Sequence, residues 1–250
     1  MSVTFSYSSL HLFEQCKWKY KRTFLTTPRP PWEDSEHLAF GSFIHKMLQL
    51  YQKQLIKVQK AKDEKWIAST YDEIYDKYMS KYDRAKYYDK GKELLNFAMN
   101  IDFDFKRSVA IEHKFSARFD KDTFINGTFD RAERMDAKTF LISDWKTGEA
   151  KPQNEMEEDL QYKIYSYAAQ VLYPLYAVYK LRWVFLESGQ VYELDVYDKD
   201  KSKEEIQKRI TAINEEKEFP TNITKLCLWC SFYKNGECPD VEKVKDKYEK

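Results

Sequence analysis

Near Arg107 the hydrophobic period of the sequence changes, and that switch limits the folds open to the chain. Before it, apolar residues recur at helical spacing. Ser6 or Ser8 can cap a first helix carrying Leu12, Cys16 and Tyr20, four apart and so on one face. Pro28, Pro30 and Pro31 then force a break. A second helix is expected over about 35–58, with Phe40, Ile44, Met47, Leu48 and Tyr51 on its apolar side, and two more near 64–82 and 91–103. After Arg107, the segments 109–119, 123–135 and 139–145 are short runs rich in β-branched and aromatic residues, separated by polar turns. They predict an antiparallel meander. A helix with Tyr162, Tyr165 and Ala169 follows, then strands near 181–186 and 191–196, a charged helix over about 201–217 and a cysteine-rich tail. The expectation is one α/β domain over 1–250: a mainly helical portion (1–107), an α/β core (108–200), and a C-terminal helix with a cysteine cluster (201–250).

Composition removes several classes. Hydrophobic residues are 42% of the chain and charged residues 33%, which fits neither a membrane protein nor a disordered one. No apolar run reaches the roughly 18 residues that crossing a bilayer requires. The first ten residues lack a basic region followed by an apolar stretch, so no secretion signal is expected. Four cysteines without such a signal suggest a reducing, cytoplasmic or otherwise intracellular setting, where thiols ligate metals more readily than they form disulfides. The net charge of +1 decides nothing about nucleic acid; a DNA-binding surface would have to be a local patch.

The chemistry concentrates in Gly127-Thr-Phe-Asp130-Arg131 and Ser143-Asp144-Trp145-Lys146-Thr147-Gly148. Asp144 and Lys146, two apart on an expected strand, emerge on one face. A hairpin could bring Asp130 beside Asp144. Two converging carboxylates are hard oxygen ligands suited to Mg²⁺ or Mn²⁺. A lysine beside them could orient an attacking water or stabilise charge on a scissile phosphate. The same Asp–Lys spacing is also common on solvated strands.

With their neighbours these residues form a larger pattern. Gly41-Ser-Phe-Ile-His45, Gly127-Thr-Phe-Asp130-Arg131, Asp144-Trp-Lys146-Thr-Gly148 and Gln161-Tyr-Lys-Ile-Tyr165 occur in an order that resembles the RecB-like nucleases of the PD-(D/E)XK superfamily. The resemblance, which covers roughly residues 6 to 240, implies a restriction-endonuclease-like core, a central mixed sheet flanked by helices. It implies that His45, Asp130 and Asp144 bind Mg²⁺ or Mn²⁺ and that Lys146 is the catalytic base or water-positioning group. It also implies that Gln161 and Tyr165 face DNA. Arg131 could brace the site, meet a phosphate or form a structural salt bridge. Glu112, on the first expected strand, reads more simply as a solvated or paired carboxylate.

The cysteines are Cys16 near one end and Cys227-Leu-Trp-Cys230 with Cys238 near the other. Four thiolates suit a tetrahedral Zn²⁺ or a [4Fe–4S] cluster, and spacing does not choose between them. The resemblance leans to the cluster: CRISPR-associated exonucleases and AddB-type nuclease domains place one cysteine before the histidine motif and three near the C-terminus. The gap between Cys230 and Cys238 is slightly longer than in that pattern. Near these cysteines Trp18, Tyr20, Trp229 and Tyr233 alternate with Lys17, Lys19, Lys21, Arg22 and Lys234, a composition able to stack bases and hold phosphates of a single strand, or simply to form a solvated helix face.

The function expected is a metal-dependent DNA exonuclease acting on single-stranded or frayed DNA, in repair or recombination. Two other readings remain open. One is a catalytically silent nucleic-acid-binding module with a structural metal cluster. The other is a nuclease subunit that acts only beside a helicase or a CRISPR integrase.

Overall fold

The computed structural model describes residues 2–30, 35–59, 63–101 and 104–249. Pro31, and the last two residues of the helix expected over 91–103, lie outside them. The switch near Arg107 is present. The helices before it are α1 (Tyr7–Gln15), α2 (Lys17–Tyr20), α3 (Glu36–Val58), α4 (Glu64–Met79) and α5 (Arg84–Asn100). They are preceded by a short strand, β1 (Val3–Ser6). After the switch come β2 (Ser108–Arg118), β3 (Thr123–Arg134) and β4 (Thr139–Lys146), then α6 (Gln153–Glu158) and α7 (Leu160–Leu172). The strands β5 (Val178–Phe185) and β6 (Gln190–Asp195) follow, then α8 (Lys199–Glu215) and a tail containing a 3₁₀ turn (Lys225–Trp229), α9 (Ser231–Lys234) and α10 (Val241–Tyr248).

Two local features depart from expectation. Ser6 caps α1, accepting from Ser9 N while Ser9 Oγ accepts from Ser6 N. The helix then stops at Cys16, whose extended backbone ends α1 and starts α2, so Leu12, Cys16 and Tyr20 do not share one continuous helix. The fifth helix begins near residue 84 rather than 91, because Asp83 caps it by accepting from Ala85 N.

The strands form one six-stranded mixed sheet. β2–β3, β3–β4 and β5–β6 pair antiparallel, so the predicted meander is present. β4–β5 and β1–β3 are parallel, and α6 and α7 supply the crossover between β4 and β5. β2 lies along nearly the whole of one edge of β3. The other edge is divided: β1 pairs with Thr123–Asn126 and β4 with Arg131–Arg134. Residues 127–130 therefore have neither neighbour on that side, and the sheet forks there.

Helices cover both faces. One core joins Phe115, Ile125, Phe140, Leu181 and Trp183 of the sheet to α1, α7 and α8. The other packs α3, α4 and α5 against Trp145, Val184 and Leu186. Strand alternation explains the division: on β5, Leu181, Trp183 and Phe185 face one core and Val184 the other. This is the α/β sandwich, a mixed sheet flanked by helices, that the sequence predicts.

Gly127 sits at the fork with no room for a side chain. A Cβ there would lie 2.4 Å from Cζ of the buried Phe115 ring. Gly127→Ala is expected to cost about 1–3 kcal/mol by forcing that ring aside, read as a fall in melting temperature. Gly41 is less constrained, since a Cβ there would make ordinary contact with Thr147 Oγ1 at 3.4 Å. Among the described residues no helix is long and apolar enough to cross a membrane.

Candidate active site

The fork positions the acidic residues. Beyond Ser143, β4 leaves β3 and remains paired only with β5 through Asp144, Trp145 and Lys146. The gap is bridged by one hydrogen bond, from Trp145 N to Asp130 Oδ2 at 2.7 Å. The Trp145 carbonyl leaves by the same edge of the strand and lies 3.0 Å from Nε2 of His45 on α3. A single residue's backbone thus orients two candidate ligands. Its indole is buried among α3–α5, with the guanidinium of Arg131 5.3 Å from the ring.

His45 Nε2 must carry its hydrogen to donate to that carbonyl, so neutral His45 presents a lone pair at Nδ1. That atom lies 3.3 Å from Asp130 Oδ1 and 3.5 Å from Glu112 Oε1. One donor atom from each of the three residues falls within 4.8 Å of the other two. Three electron-rich atoms this close require a cation, or a proton, among them. In the metal-free protein the proton takes that place: burial opposes charge on His45, but Asp130 outweighs it, with Glu112 and Asp144 adding, and its pKa stands well above the usual imidazole value. Burial, with Asp144 and Glu112 adding, raises the Asp130 carboxyl above its usual range against the pull of His45.

Glu112 is the residue whose weight the sequence hides. It falls between the pairs Ile111–Arg131 and His113–Phe129, opposite Asp130. Its φ of 50° lies in the left-handed region, costing a non-glycine residue about 1–2 kcal/mol. A strained backbone holding a carboxylate against a histidine and an aspartate has the character of a ligand position. Nothing in the local sequence signals a positive φ there.

Asp144 lies beside this set but has other partners. Its Oδ2 pairs with Lys146 Nζ at 2.7 Å, and Oδ1 is 3.1 Å from Gln161 Nε2 and 3.0 Å from the Tyr165 hydroxyl. Lys146 also donates to Gln161 Oε1 at 2.6 Å. Gln161 and Tyr165, one turn apart on α7, therefore hold the Asp144–Lys146 pair from above. Burial would lower the Lys146 pKa, but Asp144, with Asp130 and Tyr7 adding, raises it overall, so the ammonium stays charged. Burial, followed by Asp144 and Asp130, keeps the Tyr165 phenol protonated.

Arg131 is 1% exposed and paired with Glu133 at 2.9 Å, so it braces the floor under Trp145 and does not reach a phosphate. The opening above these groups is a cleft of about 470 Å³ reached by His45, Asp130, Asp144, Lys146 and Gln161.

A family model for the PD-(D/E)XK nuclease superfamily matches residues 4–234, nearly the whole chain, including all these groups. The chain belongs to the PD-(D/E)XK nuclease superfamily. One solved structure shows the same fold at great sequence distance. A candidate exonuclease from Eubacterium rectale is 10% identical, with a TM-score of 0.55 over 93% of this chain and 88% of that one. The structure of SSO0001 is 12% identical, with a TM-score of 0.36 over 84% of this chain and 88% of that one. No curated protein matches the nuclease significantly. Members of the superfamily use divalent metals, and an imidazole with two carboxylates is a donor set that fits one.

The strain at Glu112 makes a separable prediction. Glu112→Gly is expected to raise the melting temperature of the metal-free nuclease by about 2–4 °C, as about 1 kcal/mol of strain is released. It should also weaken Mn²⁺ binding at least about tenfold, so the Mn²⁺-induced rise in melting temperature shrinks. Calorimetric melting with and without Mn²⁺ reads both; a variant less stable without metal refutes the strain.

Proposed function

We propose that the chain is a divalent-metal-dependent deoxyribonuclease of the RecB-like type, working over 1–250 as one unit and degrading single-stranded or frayed DNA from an end. The observation that carries this reading is the meeting, in one cleft, of His45 and Asp130, backed by Glu112, with the Asp144–Lys146 pair. A Mg²⁺ or Mn²⁺ ion bound there supplies Lewis acidity at a phosphoryl oxygen and lowers the pKa of a water. His45, Asp130 and Glu112 would hold it, with Asp144 adjoining. Lys146, held charged by Asp144, acts as a cationic donor toward the scissile phosphate and the water rather than as a free base. Tyr165 and Gln161 keep Asp144 and Lys146 in register.

The same reading assigns Cys16, Cys227, Cys230 and Cys238 to a [4Fe–4S] cluster. In support, all four line a single cavity of about 60 Å³ between the α1–α2 junction and the tail. Four thiolates around one cavity suit either that cluster or a tetrahedral Zn²⁺, and the resemblance to the iron–sulfur subset favours the cluster. Its work would be structural, tying the two ends of the chain together.

The test is cleavage of single-stranded and duplex DNA, labelled at either end, by protein purified without oxygen, with Mn²⁺, Mg²⁺ or EDTA. Products that require metal and shorten progressively from one end support the proposal. A folded, metal-loaded protein that binds DNA without cutting it identifies a silent binding module. Activity that appears only with a helicase or integrase added identifies a subunit of a larger assembly.

A further inference from the structure

A second groove, of about 360 Å³, runs along α1 and α2 toward the tail. Tyr7 and Ser8 line both it and the catalytic cleft, so the two adjoin. Its floor is a ladder at four-residue spacing: Tyr7, His11, Gln15 and Lys19. The spacing keeps the first three on one face of α1, about 12 Å from end to end. The rings of Tyr7 and His11 are stacked, 5.2 Å between centroids and 10° from parallel. Phe232 of α9 forms part of the opposite wall.

The chemistry changes along the groove in a useful order. At the catalytic end Tyr7 presents an aromatic ring and a phenol that burial, with Asp159 and Asp144 adding, raises to about 12, so it remains a neutral donor. Next, His11 extends the flat surface, its ring nitrogen held 2.9 Å from Gln15 Nε2. At the far end Lys19 has no anionic partner among the described residues, whereas the acidic Glu237 on the rim is already met by Arg22 at 3.7 Å. Flat rings followed by an uncommitted cation match a chain of alternating bases and phosphates. Of the aromatic and basic residues read from sequence as a strand-binding patch, Lys19 lines this groove, whereas Tyr20 and Tyr233 are buried and Lys17 is paired with Glu216.

We infer that this groove carries the single strand leading to or from the catalytic cleft, with a base stacked on the Tyr7–His11 pair and a phosphate held by Lys19. The inference rests on the nuclease reading for its substrate class, yet it concerns binding and is tested without cleavage.

The experiment is fluorescence anisotropy of labelled oligothymidylates of increasing length, with Ca²⁺ in place of Mg²⁺. The affinity of the native chain should rise with length as the strand fills the groove. His11→Ala should weaken the longer strands about tenfold, the scale of losing one stacked base, and His11→Phe should restore them. Lys19→Ala should weaken binding and flatten its salt dependence, while Lys203→Ala, on α8 and outside the groove lining, changes neither. Strands carrying 5-bromouracil should photo-crosslink to the peptide spanning residues 7–19, a result that does not depend on how any variant folds. Absence of strand binding by the native chain, equal binding by His11→Ala, or crosslinks confined to other peptides would each overturn the groove. Failure of the nuclease reading appears separately, as strand binding at α1 without metal-dependent cleavage.

Discussion

Lys146→Ala is expected to lower metal-dependent cleavage about 10²–10³-fold, the usual loss on removing one preorganised donor from developing charge. The geometry says why the effect should be this large and also why the fold should survive. Among the described residues Lys146 Nζ is the only cation paired with Asp144, at 2.7 Å, and no other lysine or arginine lines the cleft. Its side chain is about one-third exposed, so truncation opens no sealed cavity. The Asp144 carboxylate it leaves behind keeps the Gln161 amide and the Tyr165 hydroxyl on Oδ1. The melting temperature should therefore move by only a few degrees while the rate collapses. Lys146→Arg should not restore the rate, because a planar guanidinium cannot meet Asp144 Oδ2 and Gln161 Oε1 as a compact ammonium does. Tyr165→Phe provides a graded comparison: it removes one hydrogen bond to Asp144 and leaves the charge pair, for a loss of about tenfold. End-labelled cleavage under single-turnover conditions, with a melting curve for each variant, separates chemistry from stability. Cleavage by Lys146→Ala at the native rate would move the active centre elsewhere.

What was legible beforehand depended on how local each signal is. α3 runs from Glu36 to Val58, against an expected 35–58, because a serine cap and a continuous apolar stripe are both written in neighbouring residues. The meander was equally clear, since alternation and turns are local. β1 was missed: four residues acquire strand character only by pairing with Thr123–Asn126, more than a hundred positions away. α6 was missed for a similar reason, being six residues that largely expose charged side chains. In the candidate site, Asp144 and Lys146 were singled out by spacing, Asp130 by an expected hairpin and His45 by resemblance, and the fold brings all four to one cleft. Glu112 was undervalued because its place beside His45 depends on a backbone conformation that no glycine announces. Arg131 was ambiguous in sequence, and the structure buries it against Glu133, a burial that sequence alone does not indicate.

Cys16→Ser is expected to have the second large effect, on stability first. Cys16 and Cys227 are separated by more than two hundred residues, and a covalent link across such a span removes about 5 kcal/mol of chain entropy from the unfolded state in the loop-closure account. The ends do not depend on that link alone. Lys17 pairs with Glu216 at 2.5 Å, Trp18 N donates to Pro220 O at 3.1 Å, and Trp18 packs edge-on against Phe232. Asn222 Nδ2 also donates to Gln15 O at 3.1 Å. These contacts already hold part of the closure, so the loss should be smaller than the full entropy, a fall of about 10 °C in melting temperature rather than outright unfolding. The same variant should lose iron and acid-labile sulfide together; zinc at one per chain in the native protein would instead identify a tetrahedral thiolate site. Absence of any metal from anaerobically purified protein, with an unchanged melting curve for Cys16→Ser, would reduce the four cysteines to ordinary thiols. The functional consequence follows from where the cavity lies. Cys230 immediately precedes α9, which supplies Phe232 to the wall of the α1 groove, so loosening the tail should weaken strand binding while the donor set proposed for the divalent metal, on α3, β2 and β3, remains in place. Oxidative loss of the proposed cluster would then raise KM for long strands before it lowers the cleavage rate at saturation.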